Sequence, residues 1–382
     1  MLILYAALRH DYGKIERGDS FEHWAFFDSL RRMGHDVLYF DFAGIAARRG
    51  REGMNRRLAE VVAVERPDLS FFVLFEEEFD KDVVRRISDS GMTTTLNWFC
   101  DDHWRFDDFS RHWAPCFNWC TTTSSEAFER YRRLGITNVL KTQWACNEAF
   151  CLRLDLPQLY DVSFVGQAHG DRWRIVSSLR DCGLDVRCWG AGWPAGRLDP
   201  ERMVEVFNQS RVNLNFSAAS CAAQWDGPTV PTRALRRFLR AVDARGGAAQ
   251  WAAPLRWILA RRSEREIAGA AVCGAGAQIK ARVFEVCGAG GFLLSGGADN
   301  FGDYYDLSRE VWVFRDGREL LDAARRALAD ESARKARAEA ARRRTLQEHT
   351  YRRRFEDIFA LIGLPETARR GGELPGVVKM LE

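Results

Sequence analysis

The sequence contains no Cys-x-x-Cys pair, although it has ten cysteines. Most of them stand inside apolar or aromatic runs, so the pattern argues for buried, reduced thiols in a cytoplasmic protein rather than a zinc centre or a disulfide framework. Long hydrophobic runs are also missing, and none approaches the roughly 20 residues of a membrane span. The apolar start Met1–Ala6 lacks a basic leader and is cut by Arg9-His10-Asp11, so it reads as a first strand and not as a signal peptide. A marked excess of either charge is missing as well: a net +3 over 382 residues gives no general case for nucleic-acid binding. The first loop, Arg9 to Ser20, holds Gly13 and Gly18 but no G-x-G-x-x-G, so a dinucleotide site is not expected there.

What is present is an α/β rhythm in a chain long enough for two domains. In the first 150 residues, buried-strand runs at 2–8, 36–40, 69–75 and 93–99 alternate with helical patterns at 20–33 and 80–88. Polar and aromatic residues crowd the end of the run 93–99, in Asn97-Trp98-Phe99-Cys100-Asp101-Asp102-His103-Trp104-Arg105. Ligands of open α/β sheets bind at the carboxyl ends of strands, which directs attention to Asp101 and Asp102 and to His10, Asp11, Glu16 and Glu22 of the first loop. The plainer alternative for each is a solvated or capping side chain. Asp101-Asp102-His103 is a weak metal pattern, because adjacent side chains diverge and no matching ligands recur nearby. No metal is expected.

Around Pro157 the rhythm lapses, and it restarts with a strand over 161–166 that runs into a glycine-containing loop and a helix over 171–180. A strand ending in glycine at a helix N-terminus is a phosphate-binding arrangement, with Gly166, Gln167, His169, Gly170 and Arg172 as its members. Further strands are expected at 184–189, 211–216 and 291–295, and helices at 200–208 and 317–329. Within 278–295, Ile279, Val283, Val286 and Cys287 recur on one helical face. Gln278, Arg282 and Glu285 share a polar one, and Gly288, Gly290 and Gly291 stop the helix before a buried strand. Between 232 and 265, nine arginines face only Asp243 and Glu264. That basic amphipathic insertion could meet an anionic acceptor, a membrane surface or a partner, or could simply cover its own domain with snorkelling arginines. An Ala/Arg/Glu-rich helix over 330–344, a helix over 349–361 with Tyr351, Phe355, Ile358 and Phe359 on its apolar face, and a loosely held tail over 366–382 complete the chain.

Five blocks carry a resemblance in order: Val162-Ser163-Phe164-Val165-Gly166 through Gly170-Asp171-Arg172, Trp189-Gly190-Ala191-Gly192-Trp193-Pro194, Ser210 through Phe216, 278–295, and Glu348-His349-Thr350-Tyr351 through Phe355. Together they resemble the CgeB-type glycosyltransferases of the GT-B fold. The resemblance implies two Rossmann-like domains facing one cleft: 1–155 for the acceptor, 156–348 for the nucleotide sugar with an insertion at about 218–277, and a last helix in 349–382 crossing back to the first domain.

It further implies metal-independent transfer of a sugar from a nucleotide-diphosphate donor, used as co-substrate with no cofactor, to a glycan, protein or small molecule. Gly166, Gln167, His169, Gly170, Arg172, Gln278, Lys280, Arg282, Glu285 and Gly290 would hold the donor, with Glu285 on the ribose. Asp101, Asp102, His10 or Glu22 would serve as general base if the configuration inverts. Retaining relatives place another glutamate ahead of the ribose glutamate, with seven residues between the two. Here that position is Ala277, with Gln278 or Lys280 as the nearest substitutes. A nucleotide-sugar 2-epimerase, a non-catalytic scaffold and a polyanion-binding module remain alternatives on the same fold.

Overall fold

A computed structural model describes residues 1–218, 235, 238–239, 249–270, 277–365 and 378–381, without the side chains of 249–253. Of the expected insertion, Arg233, Arg236, Arg237, Arg240 and Arg245 lie outside the described residues. The chain forms two compact units, Met1–Ala149 with Thr345–Glu382, and Phe150–Arg344.

The strands of the first unit are Leu2–Ala7 (β1), Asp36–Asp41 (β2), Leu69–Phe72 (β3), Thr94–Phe99 (β4), Trp119–Thr122 (β5), Val139–Lys141 (β6) and, at the far end of the chain, Val378–Met380 (β12). They form a seven-stranded parallel sheet in the order β12-β2-β1-β3-β4-β5-β6. Helices cover both faces, so a strand such as β1 must be apolar at almost every position, and Ile3 through Ala7 are fully buried. The expected helix at 20–33 is a π-turn, His23–Phe27, running into the α-helix Asp28–Arg32, with the Ser20 hydroxyl accepting from the His23 amide at 3.1 Å. The long helix Phe42–Glu65 escapes sequence reading because it is arginine-rich and breaks at Gly50.

The helix Tyr351–Leu361 packs on this unit. Its four expected apolar residues are buried, with Tyr351 against Phe26, Phe355 against Phe71 and Trp98, and Phe359 against His35. The tail requires a correction. Residues 378–380 are not loose but add β12 in parallel to β2, the Leu381 amide donates to the Tyr39 carbonyl at 3.0 Å, and Lys379 pairs with Glu65. The open backbone edge of β2 recruits them.

The second unit contributes Tyr160–Val165 (β7), Val186–Trp189 (β8), Ser210–Asn215 (β9), Leu293–Gly296 (β10) and Trp312–Phe314 (β11), which pair as a five-stranded parallel sheet in the order β11-β10-β9-β7-β8. A polar ladder crosses its buried strands: Ser163 meets Asn213 at 3.0 Å, and Asn215 meets Ser295 at 2.9 Å. Each satisfies the other, which is how such groups are tolerated inside. Helices Arg172–Asp181, Pro200–Asn208, Ala249–Ala268, Ala281–Gly288 and Gly317–Ala329 belong to the same unit. Gly290, in a left-handed conformation (φ 83°), ends the helix Ala281–Gly288, whereas Gly288 stays within it.

Candidate functional site

In the second unit β7 lies between β8 and β9, so the chain leaves β7 and β9 in opposite directions and opens a crevice outside their carboxyl ends. The loop Gly166–Gly170 starts from the end of β7, and loop 190–199 runs beside it. The Gly166 amide donates to the Trp189 carbonyl at 2.8 Å, the Ala168 amide to the Ala191 carbonyl at 2.9 Å, and the Trp193 indole to the Gly166 carbonyl at 2.9 Å. Gly190 has φ 129°, and a Cβ there would lie 2.3 Å from the Gly166 carbonyl oxygen, so only glycine permits this approach.

Three basic groups meet over the loop. The Arg172 guanidinium donates to the Gln167 carbonyl at 2.9 Å and packs against the rings of Phe164 and Phe216. Burial lowers it to about 10, which still leaves it charged at neutral pH. His169 is pushed down to about 4, first by burial and then by the charges of Arg172 and Lys280. At neutral pH it is therefore an uncharged imidazole able to donate or accept a proton, not a cation. Lys280 occupies the N-cap position of the helix Ala281–Gly288. Gln278 precedes that helix, and its backbone N–H donates to the Ser217 carbonyl at 3.1 Å.

The expected polar face is rearranged by packing. Arg282 turns inward, donating to the Val165 carbonyl at 3.1 Å, stacking on Phe207 and pairing with Glu285 Oε2, so that it ties the helix to the end of β7. Glu285 is only 7% exposed, and burial raises its carboxyl against the pull of Arg282. Its Oε1 is buried with no hydrogen-bond partner among the described residues. Such an acceptor costs about 1–3 kcal/mol until a donor reaches it.

Gly290 is not brought to this site. It precedes β10, which runs parallel to β7, so it lies at the opposite edge of the sheet, in a groove with Arg153 and Arg211. Sequence reading also passed over Gly297 to Asn300, which leave β10 at the same edge as the Gly166 loop. The Ser217 hydroxyl donates to the Gly297 carbonyl at 2.6 Å, and Asn300 is left-handed at φ 48°. The signal was present as Gly-Gly-Ala-Asp-Asn after an apolar run.

In the first unit the equivalent crevice lies between β1 and β3, which favours the loop after β1. His10 bridges to Asp19, with its Nδ1 3.8 Å from that carboxylate. Arg9 sits 2.8 Å from His23 Nδ1 and 3.3 Å from Asp19, a cluster that sequence reading did not single out because its members are ten and fourteen residues from Arg9. Burial raises the Glu22 carboxyl, and the charges of Asp11 and Asp101 add to the effect, so these three acids share one field.

The two neighbouring aspartates have opposite fates. Asp101 stays partly exposed beside the loop, whereas Asp102 is 1% exposed and receives the Tyr131 hydroxyl at 3.2 Å. Burial pushes Asp102 up to about 6 against the hydroxyls of Ser110, Thr122 and Tyr131. Among the described residues no group of three or more His, Cys, Asp or Glu side chains could hold a metal ion, and no helix is long and apolar enough to cross a membrane.

A search of curated proteins found none with significant sequence similarity. Solved structures share the fold. HepE of Anabaena in complex with UDP-glucose superposes with a TM-score of 0.52 at 9% identity, over 95% of this chain and 99% of that one. Sucrose-phosphate synthase of Thermosynechococcus elongatus gives 0.56 at 9% identity, over 95% and 97%. A glycosyltransferase of Rickettsia africae gives 0.53 at 8% identity, over 94% and 97%. Residues 172–235 and 244–360, just under half of the chain, match the family model described as glycosyl transferase-like. The chain therefore carries a glycosyl transferase-like segment within a GT-B fold.

Proposed function

We propose that this protein is a CgeB-type glycosyltransferase that moves a sugar from a nucleotide-diphosphate donor to an acceptor without a metal ion, in the cytoplasm. The observation that carries the reading is the convergence of Arg172 and Lys280 on a neutral His169 over the Gly166–Gly170 loop, at the switch point of the second sheet. A diphosphate brings the negative charge that this field favours, and the helix Arg172–Asp181 adds its dipole.

During transfer, negative charge grows on the departing diphosphate, and preoriented cations stabilise that charge more than they stabilise the ground state. The neutral imidazole of His169 can donate a hydrogen bond without adding a third cation. Glu285 Oε1, buried without a partner, suits a ribose hydroxyl donor.

The acceptor is assigned to the carboxyl edge of the first sheet. There Glu22 is the preferred proton acceptor in an inverting reaction, since burial and the neighbouring acids bring its carboxyl closer to neutrality. Asp11 and Asp101 act on it through their charges, and Asp102 is withdrawn from the role by its burial. UDP-sugars are the first donors to try, because the HepE structure above contains UDP-glucose.

The test is a thermal-shift panel of UDP, GDP, ADP and inorganic phosphate on the full chain. A ligand at 100 times its Kd adds about 2.7 kcal/mol of stability. If no nucleoside diphosphate shifts the melting temperature, the reading fails. Conversion of donor alone, with no acceptor, would reassign the protein as an epimerase.

A further inference from the structure

We propose that the groove between the helices Ala249–Ala268 and Gly317–Ala329 docks the protein onto an anionic phospholipid surface. The two helices close on each other at Gly317, where an added Cβ would lie 1.9 Å from the Ile267 carbonyl oxygen. The flank of this contact presents Arg261, Arg262, Arg265, Arg318 and Arg325 against only Glu264 and Asp322. Glu264 is already engaged by Arg261 at 3.7 Å and by Arg325 at 3.4 Å. The whole chain is nearly balanced in charge, so this is a local concentration of positive potential.

Apolar residues decide what kind of anion suits it. Trp257 is 62% exposed and Ile258 46% exposed, on the same rim as the arginines. The helix's buried apolar contacts are made by other residues, Ile267 in the core of the unit and Leu255 and Leu259 against Leu235 and Leu239. A soluble polyanion would leave an isoleucine and most of an indole in water. A bilayer interface accepts both, with the indole at headgroup depth and the guanidinium groups on the phosphates. Arg261 lies 5.5 Å over the Trp257 ring, an arrangement that keeps cation and ring together at such an interface. The groove is separate from the proposed donor site, so this inference stands or falls independently of that reading.

The experiment is co-sedimentation of the full chain with vesicles of equal parts phosphatidylglycerol and phosphatidylcholine, and with phosphatidylcholine alone. Binding is expected only to the first, and it should weaken as salt rises. Each arginine near an anionic surface multiplies binding about fivefold, so the triple variant R262E/R265E/R318E should lose about a hundredfold or more. Trp257→Ala should lose about tenfold through its lost apolar burial. Far-UV circular dichroism checks the fold of the triple variant, and the single exposed-site variant together with the wild-type salt titration decides the matter if that fold is lost. Equal partition of wild-type and variants, equal binding to neutral vesicles, or capture by heparin that Trp257→Ala leaves unchanged while vesicles stay unbound would overturn the proposal.

Discussion

Replacing Asp102 by asparagine should reveal a carboxylate that the fold tolerates at a cost. Asp102 ionises near 3.8 in an unfolded chain but only near about 6 in the native one, chiefly through burial. Between those pH values the native state binds more protons than the unfolded state, so stability falls as pH rises. Below that window both forms are protonated, and above it the whole penalty is present. With 1.36 kcal/mol per tenfold change, the penalty is about 1 kcal/mol at pH 4.5 and about 3 kcal/mol at pH 7.5. The substituted amide would not titrate and could still accept from Tyr131, so the stability of Asp102→Asn relative to wild type should rise by about 2 kcal/mol across that range. Paired urea unfolding at constant ionic strength measures this difference, with the other titrating groups cancelling between the two proteins. A relative stability that stays flat, or that declines with pH, would refute the buried, penalised carboxylate. Turnover gives a second reading: a positioned base contributes about 10² to 10⁴ in rate, so a loss of that size in Asp102→Asn would return the catalytic role to this residue.

Three other substitutions probe the second unit. Glu285→Gln should keep the fold and weaken nucleotide binding about tenfold or more, read by isothermal titration, because the amide donates where a hydroxyl donor needs an acceptor. An unchanged affinity would detach Glu285 from the ribose. Arg172→Ala should cost about 1.5–3 kcal/mol of affinity for the nucleoside diphosphate and much less for the nucleoside, the signature of a lost charge-assisted contact; equal losses would make Arg172 a loop brace, through its bond to the Gln167 carbonyl. Gly190→Ala drives a methyl group into the Gly166 carbonyl, so it should lower the melting temperature and weaken diphosphate binding together, and a wild-type melting curve would show that the two loops do not meet as described.

The sequence by itself determined the α/β class, because strands of a parallel sheet covered on both faces must be short apolar runs, and runs such as Leu2–Ala7 are legible without any partner. It also determined the apolar face of Tyr351, Phe355, Ile358 and Phe359 and the helix end near Gly290, since helical periodicity and positive φ are local properties. Only the tertiary structure decided which polar groups become a site. Asp101 and Asp102 are adjacent in sequence, yet one acts on Glu22 of the first loop while the other is sealed under Tyr131, because the chain turns between them, with Asp101 at a non-helical N-cap and Asp102 opening the short helix Asp102–Arg105. Gly290 and Glu285 share a motif, but strand direction sends the glycine to the far edge of the sheet, while packing turns Arg282 onto the Val165 carbonyl and leaves Glu285 Oε1 bare. Strand order does the rest. Placing β7 between β8 and β9 makes the Gly166 loop the lip of a crevice, and the open edge of β2 draws in a tail whose own residues show no strand pattern, because neither neighbour is encoded near the segment it organises.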